Sequence, residues 1–421
     1  MGNNEKYSLV SSSRKPRNIK LHNQKLVLSL FRTMTTASVS EISERINLST
    51  TTVSKILAVL QEHGLIKSIG KGSSTDEGGK KPELFALNET FKYAIGCYVG
   101  ADHVKIILMN LKCQKIASKS KWFSQPESLH KSMQELAATV RQLLVEENGL
   151  EAKDICGIAV GFDGIVEARS GAIYYPIHNE DWGCNILIRD ILEEQLPEFE
   201  NIWIDNSGRF GTYAIFLIWP EFKEQKLFNL FVEKNSVGCL IDRGKIERGA
   251  NGFLGEVGHM IILPSYRKRR CVCGSYGCFE NLVGIDHILD IAREIGGECG
   301  DDQLFPRILA GRCGYKDIFD ASELGNPYAC RVVDEIVKYF SYLIRNLLLS
   351  CDPQIITITG PYASAGKYFE DALQKRIQSI SFFKIEGRVK IEYLKGDGVC
   401  DSQLGGALYA MDQYLSTLEL G

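Results

Sequence analysis

Residues 249–284 read GANGFLGEVGHMIILPSYRKRRCVCGSYGCFENLVG. One histidine, His259, precedes three cysteines, Cys271, Cys273 and Cys278. Thiolate sulfur and neutral imidazole nitrogen are the donors that tetrahedral zinc takes most readily. A Cys-x-Cys pair with a third cysteine close behind lets one short loop supply three ligands. Gly274 and Gly277 let the backbone bend tightly around an ion, and His259 closes the set. Four protein ligands leave no position for water, so the pattern predicts a structural zinc and not a catalytic one.

The same stretch carries a longer pattern: Glu256-x-Gly258-His259, then Cys271-x-Cys273-Gly274-x-x-Gly277-Cys278-x-Glu280. It resembles the signature of the ROK family (repressors, open reading frames, sugar kinases). The resemblance implies a two-lobed, actin-like (ribonuclease H-like) sugar-kinase fold, with Glu256, His259 and Glu280 as partners of sugar hydroxyls. The chemistry agrees: carboxylates and imidazole accept from and donate to vicinal hydroxyls, and a zinc on His259 would fix its tautomer.

A chain of 421 residues exceeds one ordinary core, so two or three domains are expected. Its 44% hydrophobic and 24% charged residues are those of a globular protein. No apolar leader opens the sequence and no run of about 18 apolar residues interrupts it, which points to the cytoplasm and away from a membrane. Thirteen scattered cysteines fit a reducing compartment better than a disulfide framework. The net charge of -3 hides an asymmetry: residues 1–90 hold 13 Lys+Arg against 8 Asp+Glu, and the remainder is acidic. A basic front on an acidic body suggests a polyanionic partner for the front.

Residues 1–20 are polar, serine-rich and basic, and read as a flexible arm. Over 21–90 the pattern is that of a DNA-binding domain. Leu26, Val27, Leu30 and Phe31 repeat at helical spacing. Ser40 is a candidate cap for a short helix bearing Ile42 and Ile46. Asn47 suits the turn, and Ser49 can cap a second helix with an apolar face of Val53, Ile56, Leu57 and Leu60. Gly64 stops it. This is a helix-turn-helix, with Ser49, Thr50, Thr51, Thr52, Ser54 and Lys55 placed for phosphates and base edges. The segment after Gly64 reads as a wing, with Lys80 and Lys81 at its tip for the backbone or minor groove. The block also resembles the N-terminal domain of ROK-family repressors, including the Gly-Gly-basic-basic-Pro run, so operator DNA is the expected partner.

The body reads as lobe 1 over 91–205 and lobe 2 over 206–421, with a closing helix that can pack back on lobe 1. An alternating stretch near 93–116 predicts a β-hairpin or meander, and residues 126–149 an amphipathic helix. ICGIAVGF is a buried strand running into Asp163-Gly164, and LFNLFVEKNSVGCLIDRGKIE reads as two strands with an Asp-Arg-Gly turn. The resemblance implies Gly164 and Asn206 as further sugar contacts. Several positions depart from the family's kinases. Tyr98, with Gly100, Ala101 and Asp102, stands where the kinases place an Asp-x-Gly-Gly-Thr phosphate loop. Ser207 stands where they place the aspartate base, and Pro361 where they place a glycine. Tyrosine cannot support magnesium–phosphate chemistry as aspartate does, and serine has no useful basicity near neutral pH. Asp205 and Asp163 are the candidate stand-ins. Pro176-Ile177-His178 also departs from the family's sugar loop, with Asn179 as a possible replacement and Tyr174, Tyr175 and Trp182 as nearby stacking surfaces.

These readings describe a sugar-responsive regulator, without catalytic residues, that binds operator DNA and a sugar or sugar phosphate. It is expected to act as a homodimer or homotetramer, since palindromic half-sites mirror a two-fold axis. The alternatives are an ATP-dependent sugar kinase with a tethered DNA-binding domain, and a DNA-binding protein whose body senses protein partners.

Overall fold

The computed structural model describes residues 16–72, 81–177, 180–233, 236–299, 304–379, 389–396 and 398–418. It opens with α1 (Pro16–Thr33), β1 (Ala37–Ser38), α2 (Val39–Ile46), α3 (Thr50–Glu62), β2 (Ile66–Lys71) and β3 (Glu83–Leu87). Helix α1 takes in residues 16–20 of the stretch expected to be a loose arm. Its buried stripe is Val27, Leu28 and Phe31, whereas Leu26 is exposed. Ser38, not Ser40, caps α2. Its hydroxyl accepts the Glu41 N–H, and the Glu41 carboxylate accepts the Ser38 N–H at 2.7 Å, a reciprocal capping box that fixes the helix start ahead of Val39. Asn47 turns the chain with a φ of 52°, and Ser49 caps α3 through the Thr52 N–H. Val53, Ile56, Leu57 and Leu60 are buried as expected. The three strands form an antiparallel sheet in the order β1-β3-β2, completing a winged helix whose wing tip, with Lys80, lies outside the described residues.

The body repeats one sheet plan twice. In the first sheet β4 (Tyr93–Val99), β5 (His103–Asn110) and β6 (Lys115–Trp122) form an antiparallel meander. Helix α4 (Leu129–Arg141) leads to β7 (Ile155–Phe162), which pairs parallel to β4. Every residue of β7 is buried, as a central parallel strand covered on both faces requires. A small sheet of β8 (Gly164–Glu167), β9 (Ala172–Pro176) and β10 (Ile186–Leu187) follows, then α5 (Ile188–Gln195), β11 (Ile202–Asn206) and α6 (Ser207–Ile218). The first sheet runs β11-β7-β4-β5-β6.

The second sheet repeats the meander with β12 (Lys226–Val232), β13 (Ser236–Asp242) and β14 (Lys245–Glu247). The sequence reading allowed two strands here; Arg243 and Gly244, with φ of 45° and 74°, make a tight turn into the third. The helices α7 (Phe279–Val283), α8 (Ile285–Cys299), α9 (Leu304–Leu309), α10 (Tyr315–Glu323) and α11 (Pro327–Cys351) precede β15 (Ile355–Thr359). Then come α12 (Lys367–Gln378), β16 (Lys390–Tyr393) and α13 (Ser402–Thr417). Strands β15 and β16 extend the sheet in parallel, giving the order β14-β13-β12-β15-β16.

Helix α13 returns to the first sheet and packs on β4, β7 and α6. Glycines make this possible. A Cβ on Gly96 would lie 1.8 Å from the Gln403 carbonyl oxygen, and one on Gly405 would lie 1.6 Å from that of Phe210. Gly405 therefore serves the contact with α6, while Gly96 serves the contact with the sheet. No helix among the described residues is long and apolar enough to cross a membrane.

The winged helix shares its core with the body. Val27, Phe31, Ile42, Val53 and Leu57 belong to one buried cluster with Met109, Leu111, Phe210, Tyr213, Leu408 and Met411. A polar knot sits in this contact. Asp412 of α13 accepts from Arg32 of α1 at 2.7 Å and from Tyr213 of α6 at 2.8 Å. Lys223 also pairs with it, and Arg32 touches Cys113 in the β5–β6 turn. Burial alone would raise the Asp412 carboxyl, but Arg32 and Lys223 hold it below its ordinary value.

A second buried knot ties β11 and α6 to the segments around them. Asp205, fully buried at the end of β11, pairs with Arg209 at 2.9 Å and Arg248 at 2.6 Å. Arg209 also donates to Val166 O and Leu254 O, each at 3.2 Å, and to Gly252 O.

Breaking a buried, hydrogen-bonded pair leaves an uncompensated charge. Arg209→Ala is expected to destabilise the protein by about 3–5 kcal/mol, read as a shift in denaturant midpoint. Asp412→Asn is expected to cost about 3 kcal/mol and to raise hydrogen exchange across α1. Because the folded carboxyl lies below its unfolded value, its contribution is present above about pH 4 and is lost on acidification. The variant should therefore lose less stability than the native chain as pH falls below 4.

Candidate functional site

The stretch from Gly249 folds back on itself through isolated bridges, Ile261 with Cys278 and Arg270 with Tyr276. Gly277, at a φ of 72°, approaches Leu263 so closely that a Cβ would sit 2.0 Å from its carbonyl oxygen. This packing gathers the four expected donors: the ligand atoms of His259, Cys271, Cys273 and Cys278 all lie within 4.8 Å of one another. Cys271 Sγ is 3.3 Å from His259 Nδ1, and Cys273 Sγ is 3.6 Å from Cys278 Sγ. A zinc tetrahedron with Zn–S near 2.3 Å and Zn–N near 2.0 Å has edges of about 3.5–3.8 Å, so the donor set fits that ion. Nδ1 is the nitrogen facing sulfur, which leaves Nε2 for another partner. The basic run Arg267–Arg270 is tied down on one side: Arg269 pairs with Asp286 and Asp290, and Lys268 with Glu294.

Glu280 lies beneath this cluster, its Oε1 3.0 Å from Cys271 Sγ and 3.3 Å from His259 Nδ1. Burial would raise its carboxyl, but the hydrogen bond to His259 keeps it below the usual glutamate value. Glu256 is pushed the other way, chiefly by burial. Arg209 reaches from α6 to the carbonyls of Gly252 and Leu254 just ahead of Glu256. The start of α6 and the Glu256–His259 turn are thereby held together.

Asn206 caps α6, with its Oδ1 accepting from the Gly208 N–H at 2.9 Å and the Arg209 N–H at 3.3 Å. Its Nδ2 donates to Gly164 O at 2.7 Å. Gly164 has a φ of 130°, and a Cβ there would lie 2.2 Å from Tyr175 O. The pair expected to touch sugar thus also forms the seam between β8 and α6. Next to it, the Ser207 hydroxyl donates to one oxygen of Asp163, and the Tyr98 hydroxyl donates to the other at 2.7 Å. Burial and the neighbouring Asp163 push the Tyr98 phenol well above its ordinary value, so it remains a donor.

Of the two stand-ins for a base, Asp205 has both oxygens engaged by arginines and is sealed from the cleft. The 100–102 loop is closed on itself, with Asp102 held 2.7 Å from His103 Nδ1. Trp182 donates its indole N–H to Glu127 O at 3.0 Å, which anchors it to the first lobe. His178 and Asn179 lie outside the described residues. Sequence reading missed Arg209, although Asp205 and Arg209 stand four apart at a helix start, a spacing that brings charges together. It also treated Tyr98, Asp163 and Ser207 as separate departures, whereas they form one cluster.

On the winged helix Thr50, Thr51, Ser54 and Lys55 are exposed along the outer face of α3, and Lys81 is exposed at the base of the wing. The Ser49 and Thr52 hydroxyls are 2.8 Å apart and take part in the cap. They position the helix as well as facing outward.

Comparison with known proteins agrees with this architecture. Residues 26–69 match the IclR helix-turn-helix domain. The xylose repressor of Caldicellulosiruptor bescii is 27% identical over 380 residues, covering 90% of this chain and 92% of that protein. A glucokinase of Halalkalibacterium halodurans is 30% identical over 230 residues, 53% of this chain and 66% of that enzyme. The crystal structure of a ROK family transcriptional regulator, a homologue of the E. coli MLC protein, superposes with a TM-score of 0.73 at 18% identity. It covers 94% of this chain and 98% of that one. Residues 94–411 match the ROK family, three quarters of the chain, and the protein belongs to that family.

Proposed function

We propose that this protein is a sugar-responsive transcriptional repressor, cytoplasmic and assembled as a homodimer or homotetramer. The winged helix of residues 21–90 grips an operator, with Thr50, Thr51, Ser54, Lys55, Lys80 and Lys81 on phosphates and base edges around the Ser49–Thr52 cap. The body binds a sugar in the cleft lined by Gly164, Asn206, Glu256, His259 and Glu280. His259, Cys271, Cys273 and Cys278 hold a structural zinc that fixes the cleft's histidine and shapes its floor. The two lobes meet near Asn206, with α13 crossing back onto the first. No phosphoryl transfer is assigned to the cleft, since Asp205 is locked and Ser207 stands in the base position.

The observation that carries this reading is the shared core between α1, α6 and α13. Helix α6 begins at the cleft, α13 lies against it, and Asp412 ties both to α1. A ligand that favours one arrangement of α6 is thereby linked to the placement of the DNA-binding unit, by as much as it distinguishes the two arrangements. The relatives include named repressors, which supports the same reading.

Fluorescence anisotropy with labelled DNA from upstream of the protein's own gene tests it. The expected outcome is tight binding that weakens steeply with salt and is released by one sugar of a panel. Binding that no sugar alters would move the sensing role to a protein partner. Metal analysis tests the zinc: the native chain is expected to carry one zinc, and Cys273→Ser to lose it together with solubility. Full zinc in the variant would remove Cys273 from the ligand set.

A further inference from the structure

The carboxylate of Asp163 stands at the end of β7, held through one oxygen by Ser207 and through the other by Tyr98 at 2.7 Å. It is partly exposed, and among the described residues no ion pair is formed with it. Each of its oxygens keeps acceptor capacity beyond the hydroxyl it already receives. Two hydroxyl donors on opposite oxygens fix the plane of the group without neutralising its charge.

Two described cations of this junction, Arg209 and Arg248, are committed elsewhere. Arg209 is engaged with Asp205 and the carbonyls of Val166, Gly252 and Leu254. Arg248 is engaged with Asp205, Ile246 O and the Tyr409 hydroxyl. Glu256 and Glu280 are further acids of the sugar cleft proposed above, and His259 faces Glu280 and Cys271. Among these described residues, acceptors therefore outnumber free cationic donors. A phosphate ester, which carries a charge of about -1.5 to -2 at neutral pH, meets like charge here, and among the described residues no arginine or lysine is paired with Asp163, Glu256 or Glu280. Neutral hydroxyls meet oriented acceptors.

We propose that Asp163, braced by Tyr98 and Ser207, is a specificity-determining residue that accepts a sugar hydroxyl and makes the cleft select an unphosphorylated sugar over its phosphate ester. This deepens the sugar-binding reading above and rests on it. The carboxylate absent at position 207 is supplied from position 163. Its two hydroxyl partners adapt it for binding, because one donor on each oxygen fixes the direction in which the remaining lone pairs point.

Isothermal titration calorimetry of the full chain tests the assignment, using xylose, glucose, N-acetylglucosamine and the 6-phosphates of the last two. Native protein is expected to bind a neutral sugar at least tenfold more tightly than either phosphate ester. Asp163→Asn keeps the shape, and is expected to weaken the neutral sugar about tenfold and to narrow the gap to the esters. Tyr98→Phe keeps the charge while removing one brace; it should weaken the sugar but preserve the discrimination, a split that a merely structural role would not produce. A native preference for a phosphate ester would overturn the assignment, as would an Asp163→Asn chain with unchanged affinities. If native protein binds none of these probes, the sugar reading itself falls and this inference with it. Sugar binding that ignores Asp163 overturns this inference alone.

Discussion

The buried pairing of Asp205 with Arg209 and Arg248 is the constraint on which the rest of the cleft depends. A carboxylate with no exposure at the end of β11 would be costly without partners, and here two guanidinium groups and the Asn206 N–H surround it. The remaining donors of Arg209 satisfy carbonyls from β8 and from the loop before Glu256. Arg248, just beyond β14, reaches the Tyr409 hydroxyl on α13. One network thus fixes the entry of α6, the edge of the small sheet, the loop leading to the cysteine cluster and the closing helix. A hydrophobic substitute could fill the same volume and be as stable. It could not supply directional bonds to four separate segments, and that directionality fits a site that must hold acceptors in register.

The route from this junction to the winged helix is short and stiff. Gly405 brings α13 into backbone contact with α6, and Gly96 brings it onto β4. Contacts made through backbone cannot be absorbed by a rotamer change, so a displacement of the first turn of α6 must be passed to α13 or resisted. At the far end Asp412 meets Arg32, Tyr213 and Lys223. The DNA-binding unit is consequently no bead on a linker: its core is continuous with the body. That favours a regulator, in which the two units share a conformational equilibrium, over an enzyme that merely carries a DNA-binding domain.

Much of this was legible in the sequence where local chemistry is self-sufficient. The Cys-x-Cys loop, the Asn47 turn, the Ser49 cap and the apolar face of α3 depend on neighbours within a few residues, and each appears where its spacing put it. The cap of α2 was displaced because Ser38 and Ser40 offer the same hydroxyl, and only the reciprocal bond from Glu41 distinguishes them. What could not be read were partnerships across the chain. Nothing near Arg32 announces Asp412, and nothing near Tyr98 announces Asp163. The role of Asp205 was misjudged for the same reason, since its second arginine lies 43 residues away. The Asp205–Arg209 spacing was visible but became informative only once β8 and the 252–256 loop closed over it.

Catalysis and sensing ask different things of one cleft. A kinase needs groups that bind the transition state more tightly than the sugar; a sensor needs only a difference between two resting conformations. Tyr98, Asp163 and Ser207 are suited to the second demand. Two hydroxyls on one carboxylate hold it still, which suits a fixed acceptor. The same economy applies to His259: a metal on Nδ1 would leave a neutral ring whose Nε2 carries a fixed hydrogen. A ligand meeting such groups meets donors and acceptors held in fixed positions by their neighbours. Its binding free energy is then available to bias that arrangement, and through α6 and α13 the placement of the helix that faces DNA.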